Sequence, residues 1–280
     1  MMTPTQTPPI HSYAHEVLTG GSPAAVRLRL QIARIAPHFR IALLTGEPGS
    51  GKHALAACMH TASPAGGQAF TAIPALDFAG GARPAALVGT LYLPGLEALD
   101  AAAQVGLLRS LGSLDRATRI VLASRGDLKG MASAGRLRAD LYERVGTLQI
   151  RVAPLAERPD DIAAIAQSML DRLASRATLT ESACARLREH SWPGNLRELW
   201  NLCESLAAGD APLDAVDLEP HLSRRHDPPH STRLEEVIER HVLDVLESCS
   251  GNKLRAAELL GISRSTLYRM LEASSQPAVV

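Results

Sequence analysis

FRIALLTGEPGSGKHALAACMH, residues 39–60, decides the fold. Phe39 to Gly46 is a short apolar run that reads as a buried strand, and HALAACMH reads as a helix. Between them Gly46-Glu47-Pro48-Gly49-Ser50-Gly51-Lys52 fits the G-x-x-x-x-G-K phosphate loop. The glycines let backbone N–H groups close around phosphate oxygens. The helix that follows aims its positive end at the same place, and Lys52 neutralises the outer phosphates. The generic loop continues with Ser or Thr, whose hydroxyl ligates Mg²⁺. Here the residue is His53, and neutral imidazole is a poor ligand for a cation that requires hard oxygen. Two expectations stay open for Gly46–His53: a site for ATP or ADP in which Mg²⁺ is poorly held, and a loop that keeps only the shape.

Around this unit, GTLYLP (89–94), RIVLAS (119–124) and TLQIRVAPL (147–155) read as further strands, with helical segments between them. Strands alternating with helices imply an α/β fold, a mostly parallel sheet covered on both faces. Residues 23–37 read as a helix from the recurrence of Val26, Leu30 and Ala33, ended by Pro37. From Asp160 to about Ala208 the pattern is helical throughout. IAAIAQSMLDRL forms one helix, Thr180 caps a second, and a third begins at about Pro193–Gly194. The expected organisation is a flexible leader over 1–22, an α/β phosphate-loop subdomain over 23–156 and a helical subdomain over 157–208. A linker rich in Asp, Pro, His and Ser follows over 209–231, and a compact all-α unit over 232–274.

The all-α unit opens with Thr232-Arg233-Leu234-Glu235, a capping box. Leu234, Val237, Ile238, Val242, Val245 and Leu246 form one apolar stripe, and Gly251-Asn252 ends the helix. LRAAELL is a short second helix, Gly261 supplies the turn, and Ser263 caps a third helix on which Leu267, Met270 and Leu271 face inward. A recognition helix presents its N-terminal residues to base edges in the major groove. Ser263, Arg264, Ser265, Thr266, Tyr268 and Arg269 are therefore the DNA-reading candidates. Arg264 suits guanine, Thr266 a base or thymine methyl, and Lys253, Arg255 and Arg269 suit phosphates.

Bulk properties restrict the classes. The formal net charge is zero, with 29 basic and 29 acidic residues, so any nucleic-acid surface is local. No run of about 18 apolar residues and no secretory start are visible, which points to the cytoplasm, at the nucleoid, with no membrane partner. Cys58, Cys184, Cys203 and Cys249 are spaced for neither a zinc cluster nor a disulfide framework. No metal site is expected.

Several segments together resemble the AAA+ domain of sigma-54-dependent transcriptional activators, the bacterial enhancer-binding proteins. They are GTLYLPGLEALDAAAQVGLLRSL (89–111), RLRADLYERVGTLQIRVAPLAERPDDIAAIA (136–166) and SWPGNLRELWNL (191–202), and the all-α unit resembles a Fis-type helix-turn-helix. The resemblance covers about residues 23–272 and makes 157–208 the family's lid. It implies that Arg138 and Arg144 reach a neighbouring subunit's nucleotide and that Arg197 senses the γ-phosphate; local ion pairs are the alternative for the first two. It also implies departures. The family's Asp-Glu pair, which orders Mg²⁺ and polarises water, falls on Pro94 and Gly95, and the asparagine that positions the glutamate falls on Pro74. The G-A-F-T-G-A insertion that touches the sigma factor is absent, leaving DFAGGARPAALV, a joint roughly twenty residues shorter.

The expectation is a DNA-binding transcriptional regulator with no catalytic residue. Its AAA+ part would hold nucleotide or act as an oligomerisation scaffold, without hydrolysis and without activating sigma-54. Glu97 and Asp100 follow the strand on its helix side and are not expected to restore the pair. Implied partners are a two-fold symmetric DNA operator, further copies of the chain as a dimer or higher oligomer, and RNA polymerase. Two rivals remain: a working ATPase activator with rearranged catalytic residues, and a non-catalytic modulator that co-assembles with a related regulator.

Overall fold

The computed structural model describes residues 16–82, 88–207 and 212–222, together with Val242, Lys253, Ile262 and Leu267. The chain divides into two compact units, Met1–Arg224 and Arg225–Val280.

Five strands make one sheet: β1 (Ile41–Thr45), β2 (Ala69–Ala72), β3 (Gly89–Pro94), β4 (Arg119–Ser124) and β5 (Gln149–Arg151), in the order β2-β3-β4-β1-β5. Every pairing is parallel, with Ile41 opposite Ile120 and Leu91 opposite the same residue from the other side. Helices α1 (Pro23–Ile35), α2 (Lys52–Thr61), α3 (Ala75–Ala79), α4 (Ala101–Ser113), α5 (Leu128–Ser133) and α6 (Ala139–Val145) cover its two faces. Alternation along each strand feeds two separate cores. Ala42, Leu44, Val121 and Ala123 pack on one side with α1 and α2, while Leu43, Ile120 and Leu122 pack on the other with α3, α4 and α6. This double burial is why the central strands read as continuous apolar runs.

A helical subdomain follows: α7 (Pro159–Arg172), α8 (Glu181–Glu189), α9 (Asn195–Leu206) and α10 (Ala215–Leu222). The Thr180 hydroxyl caps α8, accepting from the Ala183 N–H. Trp192 is buried, and its indole N–H donates to the Leu187 carbonyl at 2.8 Å. Among the described residues no helix is long and apolar enough to cross a membrane. Cys58 and Cys184 are half-buried and Cys203 is buried; burial pushes the Cys203 thiol up to about 12.

Four sequence expectations change. The leader expected over 1–22 is built structure from Glu16 onward. Glu16–Leu18 is a 3₁₀ turn with Glu16 and Val17 fully buried, and Glu16 pairs with Arg172 at 3.2 Å. The turn is retained because Arg158, 3% exposed, donates to the carbonyls of Val17 and Thr19 at 2.9 and 2.8 Å. On α1 the buried row is Ala25, Leu28 and Ile32, while Val26 and Leu30 are exposed. Both rows are apolar, and the choice follows from the N-cap: Ser22 accepts from Ala25 and is itself fixed to Asp161. The strand expected over 147–155 is confined to Gln149–Arg151. Finally, α10 lies inside the segment expected as a linker over 209–231. Its composition reads as a loop, yet Leu213, Leu218 and Leu222 are buried and α10 packs on α8.

The buried carboxylate of Asp161 accepts from the Ser22 N–H at 2.8 Å and its hydroxyl at 2.5 Å, and stands 3.3 Å from the Arg158 guanidinium. Removing one partner of a buried ion pair leaves an uncompensated charge. Asp161→Ala is therefore expected to cost about 3–5 kcal/mol, read as a lower urea midpoint by emission of the two lid tryptophans, Trp192 and Trp200.

Candidate nucleotide site

A cleft of about 600 Å³ opens at the C-terminal ends of β1, β3 and β4. This is where open parallel sheets place ligands, at the point where strand order reverses. The phosphate loop forms one wall. Gly51 sits at the N-cap of α2 with φ +97°, and no side chain caps that helix. The first-turn N–H groups of a ten-residue helix thus face the loop without a side-chain acceptor, an arrangement that fits phosphate oxygens. Lys52 Nζ donates to the carbonyls of Gly46 and Glu47 at 2.6 and 2.7 Å. Its ammonium is held below the ordinary lysine range. Burial is the main cause; Glu97 opposes it, and Arg125 and Arg197 act with it.

The helical subdomain closes the loop from the other side. Asn195, fully buried, donates through Nδ2 to the Glu47 carboxylate and to the Pro48 carbonyl, both at 3.1 Å. Its Oδ1 accepts from the Leu155 N–H at 2.8 Å. A Cβ on Gly49 would lie 2.0 Å from the Gly194 carbonyl oxygen, so the two backbones meet at a distance only glycine permits.

The other candidates are placed as follows. Pro48, Gly49, Gly51, Lys52, His53 and Arg197 line the cleft. Glu47 is taken up by Asn195, and Ser50 is buried inside the loop. The His53 ring lies edge-on to Phe70 and Tyr92, with centroids 5.4 and 4.9 Å away. Arg138 and Arg144 are exposed outside the cleft, at the N-cap and in the last turn of α6. Arg138 forms a bidentate pair with Asp140 at 3.0 and 2.8 Å.

Pro94 and Gly95 line the cleft where β3 ends, and Pro74 caps α3. Neither side chain at 94 and 95 can ligate a metal or take a proton. Gly95 has φ +85°, and this left-handed step carries the chain into a 3₁₀ turn, Leu96–Ala98, that brings Glu97 to the cleft. The expectation that Glu97 stays on the helix side is thus overturned. Asp100 instead caps α4, accepting from the Ala103 N–H at 2.7 Å. Glu97 faces Arg125, which sequence reasoning missed. The Arg125 backbone N–H donates to Glu97 Oε2 at 3.3 Å, and its side-chain Nε lies 3.5 Å from Oε1. Its position directly after a central strand was the available signal.

Magnesium fits this donor set poorly. Mg²⁺ requires hard oxygens, commonly one or two carboxylates beside the phosphates. Glu97 is the one carboxylate among the described residues lining the cleft, and a guanidinium faces it. Among the described residues no group of three or more His, Cys, Asp or Glu side chains is placed to hold a metal.

Of the DNA-reading candidates, Lys253 is helical and exposed; Arg255, Ser263, Arg264, Ser265, Thr266, Tyr268 and Arg269 lie outside the described residues. Leu267 and Val242, both assigned inward from the sequence, are 0% and 4% exposed.

A parallel sheet in this strand order, a phosphate loop after β1 and a helical lid that brings an arginine to the cleft define an AAA+ P-loop domain. The comparisons refine the class. The sigma-54 interaction domain matches residues 19–155, the AAA+ ATPase lid domain 156–243, and the Fis family of bacterial regulatory proteins 234–273. The response regulator protein PilR of Pseudomonas aeruginosa is 32% identical over 90% of this chain and 68% of its own length. The nitrogen assimilation regulatory protein NtrX of Azorhizobium caulinodans is 31% identical over 91% and 68%. The chain belongs to the family of sigma-54-dependent transcriptional regulators, with an AAA+ domain and a Fis-type helix-turn-helix. NtrX from Brucella abortus, crystallised in complex with ATP and with ADP, superposes with TM-scores of 0.59 and 0.62. Its identity to this chain is 25% and 26%, over 92% of this chain and 69% of that one.

Asn195→Ala removes the acceptor for the buried Leu155 N–H and both donors to the loop. It is expected to cost about 1–3 kcal/mol in urea unfolding and to weaken nucleotide binding in the same preparation.

Proposed function

We propose that this chain is a sequence-specific transcriptional regulator whose AAA+ domain binds ATP or ADP without hydrolysing it. The observation that carries the reading is the end of β3: an intact phosphate loop faces Pro94 and Gly95, where no side chain can order metal or activate water. The nucleotide complexes of NtrX support ATP or ADP as the ligand. Sigma-54 remodelling is not expected, because the joint DFAGGARPAALV carries no G-A-F-T-G-A motif. Arg138 and Arg144 are on the surface, where a neighbouring copy of the chain has access to them. The bound nucleotide would then set assembly, while the Fis-type unit pairs and reads a two-fold symmetric operator beside RNA polymerase in the cytoplasm.

One observation favours a second reading, a working ATPase: Glu97 reaches the cleft. Its pairing with Arg125 opposes that role, because a general base needs a carboxylate free to take a proton from water. This reading requires Mg²⁺-dependent turnover that collapses in Glu97→Gln.

Selection of bound sequences from random DNA, with and without ATP, tests the leading reading. One symmetric sequence family is expected to be enriched, and Arg264→Ala to weaken binding to it by about 1–3 kcal/mol. Absence of any enriched sequence in both arms would overturn the reading.

A further inference from the structure

The cleft gathers more fixed positive charge than the phosphate-loop motif supplies. Lys52, Arg125 and Arg197 all line it, against the single carboxylate of Glu97 among the described residues. Arg125 extends from the end of β4, and its side chain is 70% exposed, with Glu97 held on one side of it. A guanidinium carries a fork of donors, so Arg125 can turn to phosphate oxygens without losing charge. In metal-dependent sites a dication bridges the outer phosphates and offsets their charge.

The oxygen donors near Arg125 do not suit a dication. A cation bound by Glu97 would stand beside the Arg125 guanidinium, whose Nε is 3.5 Å from one carboxylate oxygen while the backbone N–H of the same residue donates to the other, and like charges repel. The Ser124 hydroxyl is buried and accepts from the Gly126 N–H at 3.2 Å. Tyr92 is buried too, which keeps its phenol protonated.

We propose that this cleft binds a nucleoside triphosphate without a divalent cation, with Arg125 supplying the charge that magnesium supplies in metal-dependent sites. The proposal rests on the reading that the phosphate loop holds nucleotide. On binding, Arg125 exchanges the Glu97 carboxylate for outer-phosphate oxygens, Lys52 leaves the loop carbonyls for the same group, and Arg197 closes from the lid. Glu97 then stands as an opposing charge and not as a ligand. The two roles predict opposite effects of removing that charge.

The test uses the full chain and a ribose-labelled fluorescent ATP, titrated in excess EDTA and again with millimolar Mg²⁺. Affinity is expected to agree within about twofold between the two conditions, to be lost in Lys52→Ala, and to fall about tenfold in Arg125→Ala. Glu97→Gln is expected to raise affinity. Unchanged Trp192 and Trp200 emission shows that each variant is folded, and Arg125→Lys, which keeps the charge but not the fork, should fall between wild type and Arg125→Ala. Binding that requires Mg²⁺ and is lost in Glu97→Gln would overturn the proposal while leaving the nucleotide reading intact. Metal-free binding that ignores Arg125→Ala would overturn the role of Arg125. No binding in either condition would overturn the nucleotide reading and the proposal with it.

Discussion

The fold of the body turns on one buried amide. Asn195 begins α9 with φ +53°, and its side chain ties together three stretches distant in sequence: the phosphate loop at Glu47 and Pro48, the exit from the sheet at Leu155, and the lid. A buried amide has few ways to satisfy both its donors and its acceptor. Here each is used, so the lid has one seat on the loop. The contact of Gly49 with Gly194 narrows that seat further, because no side chain separates the two backbones. A second clasp holds the same lid to the start of the chain, through Arg158, Asp161 and Ser22. Loop, lid and the segment from Val17 to Ser22 are therefore joined by buried polar contacts.

A catalytic AAA+ site requires negative charge at the end of β3 to hold metal and activate water. The chain presents proline and a left-handed glycine there, and the next acidic residue, Glu97, lies 3.5 Å from an arginine at the neighbouring strand end. Lys52, Arg125 and Arg197 line the cleft beside the glycines of the phosphate loop. On the proposed reading such a cleft holds an anion and does not cleave it. For a regulator, occupancy alone is information: any ligand that binds one arrangement of lid and loop better than another shifts the population toward it.

Much of this was legible in the residues. The runs 89–94 and 119–124 are strands over those bounds, because strands buried on both faces leave an unambiguous apolar signature. The phosphate loop and the Thr180 cap were legible for the same reason: local chemistry determines them. What was not legible depends on long-range partners. The two apolar rows of α1 are equivalent until Ser22 meets Asp161. The helix Ala215–Leu222 is hidden by Pro220 and its acidic neighbours until Leu218 finds α8. Glu97 looked like a helix-side residue because sequence spacing does not reveal that Gly95 takes a left-handed turn. Arg125 belongs to no motif, and only the parallel register of β3 and β4 brings it opposite Glu97.

The central claim is that the body holds nucleotide and leaves it intact. It is tested most directly by incubating the full chain with ATP and Mg²⁺ at near-stoichiometric concentrations for hours, then chromatographing all the nucleotide in the denatured mixture. ATP is expected, in the same amount as in a protein-free control. Steady accumulation of ADP and phosphate, abolished by Lys52→Ala, would contradict it.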